Sequence, residues 1–147
     1  MTRYFMRPLQ TIIAAGYLLM SIALASQPAA ATAALVIGEP PDVAKDGFSY
    51  GVGFKFPNAE RATEKAFEIC RQHKGLASRC KLITTFDAKC VAIAFDPQDG
   101  TPGVGWSIAV NSETAQREAL AKCEATAGSD RKGKCAVDNT FCDTGAE

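Results

Sequence analysis

The chain has 147 residues, and its 16 Lys+Arg against 16 Asp+Glu make the whole sequence neutral. That length admits one ordinary domain or two small ones. The lack of a basic excess excludes a nucleic-acid binder that works by displacing phosphate counterions. A hydrophobic content of 47% with 22% charged residues excludes a disordered chain. No pattern of residues names a reaction, but several speak to compartment and architecture.

Residues 1–11 carry Arg3 and Arg7 and no acid, and residues 12–25 form an uncharged apolar run. Ala23-Leu24-Ala25 then puts small residues before Ser26. A charged start, a short apolar run and a small-residue site predict a cleaved signal peptide over residues 1–25. A second small-residue site lies near Ala31. Read as an anchor instead, the stretch from Pro8 to Ala25 sits at the lower limit for crossing a bilayer. Removing Arg3 and Arg7 with the leader leaves a net charge of −2. The expected location is therefore periplasmic or secreted, with no integral membrane association after cleavage. All six cysteines lie beyond the leader. An even number in an oxidising compartment predicts three disulfides.

Residues 26–47 read as an N-terminal linker with a possible edge strand at Ala34–Gly38. Residues 48–147 read as a single domain made of two repeats, 48–95 and 96–147. The repeat is visible residue by residue. Gly51-Val-Gly-Phe54 recurs as Gly103-Val-Gly-Trp106 at an offset of 52. The segment Asn58–Cys70 recurs as Asn111–Cys123 at 53, sharing Glu60/Glu113, Ala62/Ala115 and Ala66/Ala119. Cys80-x-Leu-x-x-Thr-Phe86 recurs as Cys135-x-Val-x-x-Thr-Phe141 at 55.

Each copy reads as strand, helix, strand. Val52/Phe54/Phe56 and Val104/Trp106/Ile108/Val110 alternate with small or polar residues, as half-buried strands do. Asn58, and Asn111 or Ser112, are N-caps for helices whose Ala62/Ala66/Cys70 and Ala115/Ala119/Cys123 stripes recur every fourth residue. Phe67 and Leu120 fill in beside the stripes, and Gly75 and Gly128 follow as stops. Cys90–Phe95 alternates as a further strand before the turn Asp96–Gly100, and Ala34–Gly38 is its counterpart in the first copy. The fold class expected is α+β: two ββαβ-like repeats sharing one mainly antiparallel sheet, with two helices on one face, stapled by disulfides. Of the 15 possible connectivities, the duplication points to Cys70–Cys80 and Cys123–Cys135 as equivalent pairs. Cys90–Cys142 then remains, tying the two copies together.

The stretches Cys90–Phe95, Gly105-Trp-Ser-x-x-x-Asn111, Ala115-x3-Ala119-x3-Cys123 and Cys135…Cys142 resemble a family of small exported bacterial domains catalogued only as a domain of unknown function. The likeness covers residues 48–147 and is best over 90–142. The first repeat departs from the family pattern, with Phe54-Lys55 where a Gly-aromatic-Ser strand is expected. The resemblance implies fold and export, and brings no ligand, activity or catalytic residue.

His73 is the only histidine, so any Ser-His-Asp or Cys-His site would have to use it. Three residues beyond Cys70, it reads more simply as a cation near a helix C-terminus. A zinc site built on Cys70, His73 and Cys80 would need reduced thiols. Gly51-Val-Gly53 lacks the third glycine of a nucleotide cradle, and its twin at Gly103–Gly105 points to close backbone approach. Asp96, Asp99 and Gly100 do not fit a 12-residue calcium loop. Asp87/Asp96 and Asp138/Asp143 are the acid pairs available for general acid–base work. Trp106 fits the core alternation, with contact to a partner as its functional reading. The expected function is an exported binding module, inhibitor- or effector-like, without catalytic residue, metal or cofactor. Its partner would be a protein or an envelope component, not nucleic acid. A small hydrolase using paired carboxylates or His73, and a structural envelope protein, are the competing readings.

Overall fold

A computed structural model describes residues 32–143. The expected signal peptide at 1–25 lies outside the described residues. The elements in chain order are β1 (Thr32–Gly38), α1 (Val43–Asp46), β2 (Ser49–Phe56), α2 (Ala59–Cys70), β3 (Cys80–Phe86), β4 (Cys90–Phe95), β5 (Val104–Ala109), α3 (Ser112–Ala127) and β6 (Ala136–Cys142). A short 3-10 turn, Ala77–Arg79, leads into β3, and another, Ser129–Arg131, follows α3. The fold is α+β. Its strands form two three-stranded antiparallel sheets, ordered β2-β1-β3 and β5-β4-β6.

The expected single sheet with both helices on one face is thus two sheets in a four-layer stack. The reason lies in the central strands. Ala33–Ile37 of β1 and Cys90–Ala94 of β4 are buried without a break. A strand buried on both faces needs a layer on each side. Leu35 and Ile37 share one apolar cluster with Val91 and Ile93, so the two sheets face each other. The alternate residues Ala34 and Val36 cluster with Ala62, Ala66 and Cys70 of α2. Likewise Cys90, Ala92 and Ala94 cluster with Ala115, Ala119 and Cys123 of α3. The helices therefore cover opposite outer faces. Had both lain on one face of one sheet, Leu35, Ile37, Val91 and Ile93 would have faced water.

The strand at Ala34–Gly38 is the middle strand of its sheet, not an edge. The structural units are 32–86 and 90–142, each a ββαβ with its first strand central. Their boundary lies at the turn before β4 rather than at residue 95. The linker Pro40–Gly47 carries the single turn α1, capped by Asp42, whose Oδ1 accepts from the Lys45 N–H at 3.1 Å.

Asn58 and Asn111 cap the long helices, accepting from the Arg61 N–H at 3.0 Å and the Thr114 N–H at 2.8 Å. Gly128 follows α3 directly with φ +88°, but Gly75 lies beyond a turn, because α2 already stops at Cys70. The glycine strands exist for the helices lying on them. A Cβ on Gly51 would come within 1.9 Å of the Ala66 carbonyl oxygen, and one on Gly53 within 2.1 Å of that of Ala62. Gly105 repeats this against Ala119 at 2.2 Å.

The alternation expected through Phe56 breaks at Lys55, which has φ +62°. An extra residue enters β2 there, since Thr32 pairs Phe56 while Ala34 pairs Gly53. This bulge turns Phe56 onto the α2 side, while Phe54 stays exposed and rests against Phe141, ring centroids 5.2 Å apart.

Candidate functional site

The six cysteines form Cys70–Cys80, Cys90–Cys142 and Cys123–Cys135, and no described cysteine is free. Cys70–Cys80 pins the last turn of α2 to the start of β3, and Cys123–Cys135 pins the C-terminal part of α3 to the residue before β6. Cys90–Cys142 plays another part than the expected one. Both residues belong to the second unit and face each other across β4 and β6, so this bridge does not join the units. Three disulfides belong to an oxidising compartment. No described helix is long and apolar enough to cross a membrane.

The acid pairs do not meet. Asp138 lies within β6 and Asp143 just past its end, about 17 Å away at the usual rise of about 3.3 Å per residue. Asp87 and Asp96 flank β4, whose length alone separates them by roughly 20 Å. Glycoside hydrolysis uses carboxyl groups about 5–9.5 Å apart.

Each acid has its own surroundings. The Asp96 side chain is fully enclosed and holds Arg131 in a two-pronged ion pair, at 2.7 Å from Nε and 2.6 Å from Nη2. That guanidinium keeps the Asp96 carboxyl below the usual carboxylate range. Its Oδ1 also accepts from the Gln98 N–H at 3.0 Å, closing the turn. Asp138 accepts from Tyr50 at 2.5 Å, and Asn139 donates to the same phenol oxygen at 2.8 Å. Burial, followed by the bond to Asp138, pushes the Tyr50 phenol up to about 12. This cluster joins β2 to β6 across the two sheets. Asp143 is buried, and its Oδ1 accepts from the Lys55 N–H at 3.3 Å.

His73 is exposed in the turn after α2, where its carbonyl accepts from the Leu76 N–H. Cys70 and Cys80 are bonded to each other, which removes both thiolates from a zinc site with His73. No group of metal ligands is assembled among the described residues. Trp106 is half-buried at the margin of the inter-sheet core, with the Lys122 ammonium 5.1 Å from its ring centre. Lys122 also donates to the Trp106 carbonyl at 2.9 Å, so one ammonium meets both the ring and the backbone of this residue. Val110, read as continuing the β5 face, lies past the strand end and is exposed.

Of the four outer strands β2, β3, β5 and β6, β3 has the longest exposed run. Lys81 to Thr85 of β3 are exposed without interruption, with Leu82 43% and Ile83 41% accessible. The equivalent strand β6 is exposed at Ala136, Asp138 and Asn139 but half-buried elsewhere, and Tyr50 and Phe54 of β2 contact its Asp138 and Phe141. Beside β3 runs a cleft of about 680 Å³ lined by Ile37, Glu39, Pro40, Arg79, Lys81 and Ile83. The register explains why Ile83 joins it: Leu35 pairs Thr84 and Val36 pairs Leu82, so Ile83 is the extra residue of a bulge. Cys70–Cys80 anchors the strand at its start, and Phe86 buries its end. The sequence marked β3 as a strand but gave no sign of its exposure, because the adjacent apolar residues Leu82 and Ile83 have the chemistry of a core.

These features define a class: a duplicated, disulfide-stapled α+β domain with two sheets packed between two helices. The chain belongs to the family of the domain of unknown function DUF4189, whose family model matches residues 42–142. The match begins after β1, although β1 is the central strand of the first sheet. No curated protein and no solved structure matches the chain.

Proposed function

We propose that the protein is an exported interaction module that binds another macromolecule, and that the open β3 edge is its contact surface. The observation that carries this reading is a strand pinned at both ends yet exposed along its middle, with two large apolar side chains facing solvent. Proteins commonly blunt or cover such edges, because unpaired N–H and C=O groups recruit other chains. Export rests on the leader read from residues 1–25 and accords with three disulfides. Within this reading Trp106 is a secondary contact, since its ring is partly accessible beside Lys122.

Photo-crosslinking in the producing cell tests the proposal. A photoreactive residue is placed at Leu82, at Glu60 on α2 or at Arg117 on α3. Adducts of defined mass from any of these positions support an interaction module, and adducts from Leu82 alone place its surface on β3. An absence of adducts at all three, or a hydrolytic activity abolished by His73→Ala, overturns it.

A further inference from the structure

We infer that the β3 edge takes up an acidic, extended peptide segment of a partner protein as a fourth strand; this rests on the interaction-module reading above. Three observations lead there. First, β3 is an edge strand of seven residues with one side unpaired and no proline, the geometry used in strand addition. Second, its surroundings are mostly basic, with Glu39 the one acid lining the cleft and Asp87 just past the strand end. Residues 71–86 contain Arg71, Lys74, Arg79 and Lys81 and no acid. None of these four makes an ion pair among the described residues. In the second unit the corresponding stretch is balanced. There Asp96 holds Arg131, and the Glu124 carboxylate accepts from the Gly133 and Cys135 N–H groups at 2.6 and 3.0 Å. The two units thus share a fold and differ in charge around the corresponding edge strands β3 and β6. Third, the cleft beside β3 places Arg79 and Lys81 next to the apolar Ile37 and Ile83. A peptide alternating acidic and β-branched residues can set the first kind against the cations and the second into the cleft.

A second copy of the chain is a poorer occupant. It would bring the same cations to the same edge, and like charges across a contact are unfavourable. The bulge at Ile83 also bends the edge away from flat pairing with a rigid, equally bulged copy. A flexible peptide can follow that bend.

A randomised dodecapeptide display library, selected against the oxidised protein, provides the test. Enriched peptides are expected to carry Asp or Glu alternating with Val, Ile or Thr, without proline. Their binding should perturb the backbone amides of Cys80–Phe86. Arg79→Glu and Lys81→Glu should each weaken binding at least tenfold, while Arg117→Glu leaves it unchanged. Neutral or basic enriched peptides, amide perturbations elsewhere, a dimer paired through β3, or no enrichment at all would overturn the inference. Crosslinked adducts obtained alongside any of these results would leave the interaction-module reading standing, so the two fail separately.

Discussion

Asp96 and Arg131 are 35 residues apart and close the base of the β4–β5 turn against the segment after α3. Burying a carboxylate is costly unless its charge is met, and here both oxygens are met by one guanidinium. Arg131→Met is therefore expected to lower Tm at neutral pH, because Asp96 would stay enclosed with no counter-charge. The pH dependence has a defined sign on each side. Asp96 has its folded-state pKa lowered, so its contribution is present above the unfolded carboxylate value near 4 and lost as pH falls below it. Tyr50 has its folded-state pKa raised to about 12. Its contribution is present below the unfolded value near 10 and is lost as pH rises from there towards 12. Tm measured from pH 2 to 12 should fall on both flanks. Tyr50→Phe should flatten the alkaline flank alone.

At the scale of the elements, the fold depends on helices lying directly on glycine strands. The Ala62/Ala66/Cys70 and Ala115/Ala119/Cys123 stripes are flat enough for backbone to approach backbone, and Gly51, Gly53 and Gly105 supply the matching gap. Every one of these positions needs its partner: a small residue on the helix is of no use beneath a bulky strand. Gly51→Ala would push a methyl into the Ala66 carbonyl, a backbone group that cannot swing aside. The expected loss is about 3 kcal/mol, at the upper end for overpacking, measured by urea denaturation. The same substitution at Gly75, which has nothing within 4 Å of its Cβ position, should be close to neutral.

At the scale of the molecule, each unit packs its helix on one face of its sheet, but neither covers the inner face by itself. Leu35 and Ile37 are covered by Val91 and Ile93, so the units stabilise each other and should unfold together. The disulfides act on this single transition. In the chain-entropy account, the Cys90–Cys142 bridge, closing 52 residues, contributes about 4 kcal/mol. Cys70–Cys80, closing 10, contributes about 3 kcal/mol. Cys90→Ser with Cys142→Ser should lower stability more than Cys70→Ser with Cys80→Ser, and each pair should leave one cooperative transition by calorimetry. Two resolved transitions would mean that the units hold separate cores.

The sequence by itself determined the features that rest on short-range pattern. The duplication is written in aligned residues, the helix starts in Asn58 and Asn111, and the helix-to-strand approach in glycines matched to alanines. Each is a local rule, readable because a cap, a stripe or a gap needs particular residues at fixed spacing. Only the tertiary structure decided how the units combine. Alternation shows that a strand has two apolar faces but not what covers the second one, so one sheet and two stacked sheets read alike until Leu35 meets Ile93. The bulge at Lys55, the Asp96–Arg131 pair and the exposure of β3 escaped the sequence for a related reason. Each depends on residues distant in the chain arriving, or failing to arrive, at one place. Leu82 and Ile83 have the chemistry of a core, and they face solvent because no described residue reaches across to β3 as Tyr50 and Phe54 of β2 reach Asp138 and Phe141 of β6.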